Sequence, residues 1–294
     1  MKINTFVAAL LILMAASAPA AARPNIVVEG VQMPVWVEHA SGAREPLMIG
    51  KALGNKDRIY TGAGARALLR LADGSLIKLG ENGILALDEL GQKKIKLKDV
   101  VTASLDVLSG AFRFTTQALY KFRGERDVKV RLVTISAGIR GTDLWGKSEK
   151  ARNIVCLIEG SIAVAHGDKE FTMDQPLSFY IVSKDEPQLP VTPVAKEKLE
   201  QWAVETEIAD GAGALRAGGK WRVYLAEANN QGDALGVYDQ LRRAGYAAEI
   251  RPVKSAAGMM YRVRISHLPS KLEADALAAK LKGKMGAGEP RVSK

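Results

Sequence analysis

The chain has 294 residues, 47% of them hydrophobic and 25% charged. Those are globular proportions, too apolar for a disordered chain and long enough for two cores. The formal net charge of +10 points to an anionic partner, while the single cysteine, Cys156, excludes an internal disulfide framework and any multi-cysteine zinc site.

The first predicted element is an address. Lys2 is a positive start, Phe6 to Ala16 is an apolar run, and Ala20-Ala21-Ala22 offers small residues for cleavage before Arg23. We therefore expect residues 1–22 to be a signal peptide cleaved near Ala22, with a periplasmic product. The apolar run is shorter than the roughly 20 residues a transmembrane helix needs, and no later segment is apolar enough, so no transmembrane span is expected in the mature chain. Export also argues against nucleic acid as the partner and leaves envelope polymers.

From Asn25 to Val182 short apolar or alternating runs are separated by Gly, Asp and Asn. Val35-Trp36-Val37, Ala67 to Leu71, Leu76 to Leu79, Val128 to Val133, Ile154 to Ile158 and Ser161 to Val164 are examples. Turn signals fall between them at Asp73-Gly74, Glu81-Asn82-Gly83, Glu159-Gly160 and His166-Gly167-Asp168. Such spacing predicts an all-β sandwich, roll or barrel over residues 25–183. Cys156, inside an apolar strand, reads as a buried small hydrophobe.

These runs carry a family resemblance. Asp57 to Gly62, Ala67 to Leu71 with Asp73-Gly74-Ser75, Leu108 to Phe114, Val133 to Thr142 and Leu157 to Val164 occur in the order of a FecR-type domain. The resemblance implies a β-fold and an interaction role in the periplasm. FecR-type proteins include regulators of iron-uptake signalling whose cytoplasmic tail controls a sigma factor; here the expected signal opens the sequence, so neither such a tail nor an inner-membrane span is expected. Arg140-Gly141-Thr142, within the resemblance, reads either as a turn presenting Arg140 to an anion or partner, or as a tight turn that needs a glycine.

Pro187, Pro190 and Pro193 end the β region. Residues 184–219 are expected to be a linker with one short helix, over 195–208, whose narrow apolar side (Leu199, Trp202) docks on a neighbour. Gly211, Gly213, Gly218 and Gly219 then predict a flexible joint, about which the flanking parts can move.

The basicity belongs to the last quarter: residues 220–294 carry 14 basic and 7 acidic side chains, whereas 23–219 carry 27 and 25. Trp221 to Ala226 alternates as a strand, Ala234 to Leu241 has helical spacing, and Gly245 stops that helix. Tyr246 to Val253 and Met260 to Ile265 are further strands, Leu272 to Leu281 a second helix, and Pro290 to Lys294 a final strand. The order β-α-β-β-α-β predicts an α+β ferredoxin-like module.

With Trp221-Arg222-Val223, Leu241 to Tyr246 and Tyr261 to Ile265, this segment resembles the SPOR domain. That family binds peptidoglycan glycan strands stripped of stem peptides, mostly at cell-division sites. If Val223, Leu225, Val263 and Ile265 face the helices, then Arg222, Tyr224, Arg262 and Arg264 share the uncovered face. There an aromatic ring stacks on a sugar and Arg supplies donors to its oxygens; the alternative is a plain solvated face. The chain departs from the family pattern at Tyr224, at Ala226-Glu227-Ala228 and at Ser266-His267-Leu268, which bears on glycan affinity. His267 reads as a ligand-contacting donor or as a histidine at a loop edge.

No nucleophile elbow, zinc-protease pair, phosphate loop or dinucleotide fingerprint occurs. Acidic residues such as Asp143 and Glu159 could pair in space, which the sequence alone does not show. The sequence thus predicts a non-catalytic adaptor without metal or cofactor, bound to peptidoglycan through 220–294 and to an unidentified envelope protein through 25–183. The alternatives are envelope signalling of the FecR type, with incidental wall binding, and nonspecific polyanion binding.

Overall fold

The computed structural model describes residues 25–95, 98–116, 124–139, 141–256 and 258–294. The expected signal, residues 1–22, and Arg140 lie outside them. In chain order the first strands are β1 (Ile26–Gln32), β2 (Val35–Glu38), β3 (Arg44–Pro46), β4 (Ala52–Leu53), β5 (Arg58–Thr61), β6 (Arg66–Leu71) and β7 (Leu76–Leu79). Two long ones follow, β8 (Ile84–Ile95) and β9 (Lys98–Thr115). Then come β10 (Glu125–Leu132), β11 (Ile135–Ile139), β12 (Asp143–Ser148), β13 (Arg152–Glu159), β14 (Ile162–His166), β15 (Lys169–Met173) and β16 (Ser178–Ser183).

The connecting stretch holds β17 (Thr192–Pro193), α1 (Lys196–Val204) and β18 (Leu215–Arg216). The C-terminal module is β19 (Trp221–Ala228), α2 (Gln231–Arg243), β20 (Glu249–Ser255), β21 (Gly258–Leu268), α3 (Lys271–Leu281) and β22 (Arg291–Ser293). The chain is therefore mostly β-sheet with few helices.

Strand alternation buries one side of each early strand: β6 and β7 turn Ala67, Leu69, Leu71, Ile77 and Leu79 inward and leave Arg66, Leu68, Arg70 and Lys78 less covered. Pairing groups these strands in two layers. One runs β18-β1-β6-β7-β9-β12-β13-β16-β17. The other runs β3-β2-β5-β8-β9-β10-β11-β14-β15. β9 belongs to both. Its first part pairs with β8 and β10, and from Gly110 onward it pairs with β12 and then β7. Gly110 makes the change of layer at φ +84°, with Gly83 Cα only 2.6 Å from where a Cβ would stand, so only glycine fits. Ile26, Val28, Leu69 and Phe112 from one layer and Val35, Ile59, Leu85 and Val107 from the other form one buried cluster.

α1 docks as its narrow apolar side requires. Trp202 stacks on the fully buried Trp145 of β12, centroids 4.6 Å apart and planes within 5°. The helix covers 196–204 rather than 195–208. Cys156 is buried in the same cluster.

The glycine-rich joint is anchored, which corrects the expected freedom. Glu273 of α3, itself buried, accepts hydrogen bonds from Gly211 N–H (2.6 Å), Gly213 N–H (2.7 Å) and Ala214 N–H (2.9 Å). A buried carboxylate needs donors, and the backbone at these glycines supplies them. β18 then pairs with β1. Farther on, Val35 N–H donates to Gly245 O (3.1 Å), Trp36 Nε1–H to Arg243 O (3.2 Å) and Lys280 Nζ to Met33 O (2.8 Å). The C-terminal module is thus bonded directly to the β layers.

Candidate ligand-binding face

The C-terminal sheet has the order β20-β21-β19-β22, with every neighbour antiparallel. Its helices are begun by side-chain caps: Asn230 accepts from Asp233 N–H (2.9 Å) and Ser270 from Glu273 N–H (3.2 Å). Gly245, at φ +84°, turns the chain after α2. Val223, Leu225, Val263 and Ile265 are all buried, together with Ala234 and Leu241 of α2 and Ala274, Leu277 and Leu281 of α3. The opposite side of the sheet is left uncovered.

All four candidate residues meet on that side. Tyr224 lies opposite Arg264 in the β19–β21 ladder, and the Arg262 guanidinium sits 5.6 Å from the Tyr224 ring centroid. Burial pushes the Tyr224 phenol up, but its hydroxyl contacts with Arg222, Arg264 and Ser293 outweigh that and bring its pKa below the ordinary tyrosine value. Arg222 and Arg264 also line an open cleft of about 500 Å³ with Trp221, Glu249, Arg251 and Ser266. His267 is exposed at its rim, within β21 rather than in a loop, at φ +71°.

Two carboxylates on this face escaped the sequence reading as partners. Glu249 accepts from Arg264 Nε (2.9 Å) and Ser266 Oγ (2.6 Å) and pairs with Arg251 (2.8 Å). Burial raises its pKa, yet Ser266 and Arg264 hold its carboxyl below the usual range. Glu227 Oε1 lies 2.8 Å from Arg262 Nε, an ion pair not aligned as a hydrogen bond, and also meets Arg291. A register shift between Tyr224 and Ala226 brings Glu227 opposite Arg262. A strict period of two hides this. The face is a fixed lattice of guanidiniums spaced by carboxylates around one phenol, suited to neutral polar ligands with many hydroxyl and carbonyl oxygens as well as to anions.

Asp143 and Glu159 are cross-strand partners, as folding was expected to allow, but Asp143 is gripped by Arg113 through two bonds of 2.8 and 2.6 Å. That grip raises the Arg113 pKa and commits the Asp143 carboxylate to an ion pair. Gly141 adopts φ +70°, and Thr142 Oγ1 donates to Ser161 O (2.9 Å), the geometry of the tight-turn reading. Among the described residues no group of three or more His, Cys, Asp and Glu could hold a metal, and no helix is long and apolar enough to cross a membrane.

A family model described as "FecR protein" matches residues 57–163, and one described as "SPOR domain" matches residues 217–291. Two solved structures of a candidate anti-sigma factor from Parabacteroides distasonis are similar at 14% identity. One covers 76% of this chain and 89% of its own with a TM-score of 0.39; the other covers 69% and 96% with a TM-score of 0.38. No curated protein matches.

Proposed function

From a chain that carries a FecR domain followed by a C-terminal SPOR domain, we propose a periplasmic, non-catalytic adaptor that binds peptidoglycan glycan strands through its SPOR domain and an envelope protein through its FecR domain. In this reading residues 1–22 are a cleaved signal, 25–183 a sandwich or roll, 184–219 the connection and 220–294 a ferredoxin-like module. The observation that carries it is the gathering of Arg222, Tyr224, Arg262 and Arg264 on one uncovered face, the side away from the buried apolar residues and helices.

Tyr224 offers a ring to a sugar's C–H face, while Arg222, Arg262 and Arg264 offer forked donors, two of them paired with carboxylates: Arg262 with Glu227 and Arg264 with Glu249. Because those carboxylates restrain Arg262 and Arg264, the ligand meets a partly pre-ordered surface and less side-chain freedom is lost on binding. Retention of the full chain on purified sacculi tests the proposal. Tyr224→Ala combined with Arg222→Ala is expected to lower retention at least about tenfold, the size of one or two charge-assisted hydrogen bonds. Retention no better than that of a charge-matched basic protein, or unaffected by the double substitution, overturns it. Retention that collapses steeply with salt supports polyanion binding instead.

A second reading is FecR-type envelope signalling, with wall binding incidental. Deleting residues 220–294 separates the two: an unchanged cellular phenotype supports signalling.

A further inference from the structure

A cleft of about 620 Å³ opens at the seam between the β layers and α2. Trp36, Arg44 and Glu45 line it from one side, and Asp239, Arg242 and Arg243 from the other. Its size is that of a small-molecule site, and it lies between two parts of the fold, where such sites are common.

Its charges are unequally committed. Glu45 is saturated: it meets Lys51, lies 3.3 Å from His39 Nε2 and pairs with Arg242 Nη2 at 3.1 Å across the seam. The hydrogen bond from Lys51 holds its carboxyl below the usual range against burial, so it stays an anion that these cations already neutralise. Arg44 is different. Its guanidinium lies 4.8 Å from the Trp36 ring centroid and 4.6 Å from that of Tyr60, held by two aromatic rings. Glu38, its cross-strand neighbour, makes no ion pair with it. Arg243 spends Nε on Asp239 O (3.2 Å) within its own helix. Among the described residues neither Arg44 nor Arg243 forms an ion pair. Two guanidiniums without an ion pair therefore border one cleft against the one uncommitted carboxylate, Asp239, so that with Glu45 and Arg242 paired to each other the lining keeps a net positive charge that suits an oxyanion.

We infer that this seam cleft binds a small-molecule oxyanion, a phosphate or carboxylate group, between Arg44 of the β layers and Arg243 of α2. The ligand touches both sides of the seam, so binding also strengthens their attachment. The inference is independent of wall binding, because the cleft shares no residue with the uncovered sheet face.

Isothermal titration of the full chain with inorganic phosphate and with citrate, at fixed ionic strength and against a chloride control, tests it. Saturable binding of at least one probe at one site is expected, and which probe binds more tightly distinguishes the two chemistries. Arg44→Gln and Arg243→Gln should each weaken it at least tenfold, whereas Lys169→Gln, an exposed cation on β15, should leave it unchanged. Arg243 is exposed on a helix surface, so Arg243→Gln keeps the test valid even if Arg44→Gln disturbs folding, which circular dichroism reports. Absence of saturable binding with both probes overturns the inference. So does loss in Arg222→Gln in place of loss in the seam variants.

Discussion

Glu273 holds three backbone N–H groups from the joint with one buried carboxylate. Glu273→Gln keeps the shape but weakens charge-assisted bonds and introduces a donor facing donors. We expect a loss of about 2–3 kcal/mol in urea unfolding, the scale of charged hydrogen bonds in a buried site. Cys156 makes the opposite point about burial. Burial first, and then the Asp143 charge, push its thiol up to about 12. It should resist iodoacetamide at about pH 8 in the native protein and react once the chain is unfolded in urea. His39 carries a charge that responds to mild pH change. Its hydrogen bond to Asp57 raises its pKa above 6.5, against burial and with help from Glu45. A pKa raised by folding means the contribution is fully present below 6.5 and is lost as pH rises through the raised value. Stability should therefore decline over that interval, and His39→Gln should flatten the decline in denaturation curves. Glu273 as a tether was not legible in the sequence, because nothing local distinguishes it from a solvated glutamate on α3.

Among the elements, the strands were legible because burial on one side imposes alternation, and the helices of the last quarter because their apolar residues recur at helical spacing and Gly245 stands at the end of the first. What alternation could not convey is that β9 serves two layers. That depends on a bend at Gly110, where the backbone of Gly83 occupies the place of a side chain. Gly110→Val is expected to cost about 3 kcal/mol or more and to lower soluble yield, read by thermal melting. α1 illustrates a helix held by tertiary contact. Its side chains make only a thin apolar stripe, and the stack of Trp202 on Trp145 carries its attachment. Trp202→Ala should remove about 3 kcal/mol and the near-ultraviolet dichroism of the stacked pair.

The whole molecule is more tightly joined than its glycines suggested. A flexible joint was the expectation from Gly211 to Gly219, yet the seam is closed by Met33, Trp36 and Glu45 against Arg242, Gly245 and Lys280. Gly245 is decisive there: it is at φ +84°, and a Cβ would come within 2.6 Å of the Trp36 ring. We expect the full chain to unfold in one transition, and Gly245→Ala to separate it into two, with a larger radius in solution scattering.

The sequence by itself determined the β-rich first part, the α+β order of the last quarter, the family resemblances and the placing of Arg222, Tyr224, Arg262 and Arg264 on one sheet face, because periodicity, caps and turn residues are local. It also located the excess charge in residues 220–294. Only the tertiary structure decided that Glu227 and Glu249 partly neutralise that charge on the sheet face, and that Arg44 and Arg243, neither of them in an ion pair among the described residues, border one cleft at the seam. Pairing between residues far apart in the chain is set by strand register and by how the sheets and helices pack, and neither is written in any short run of residues.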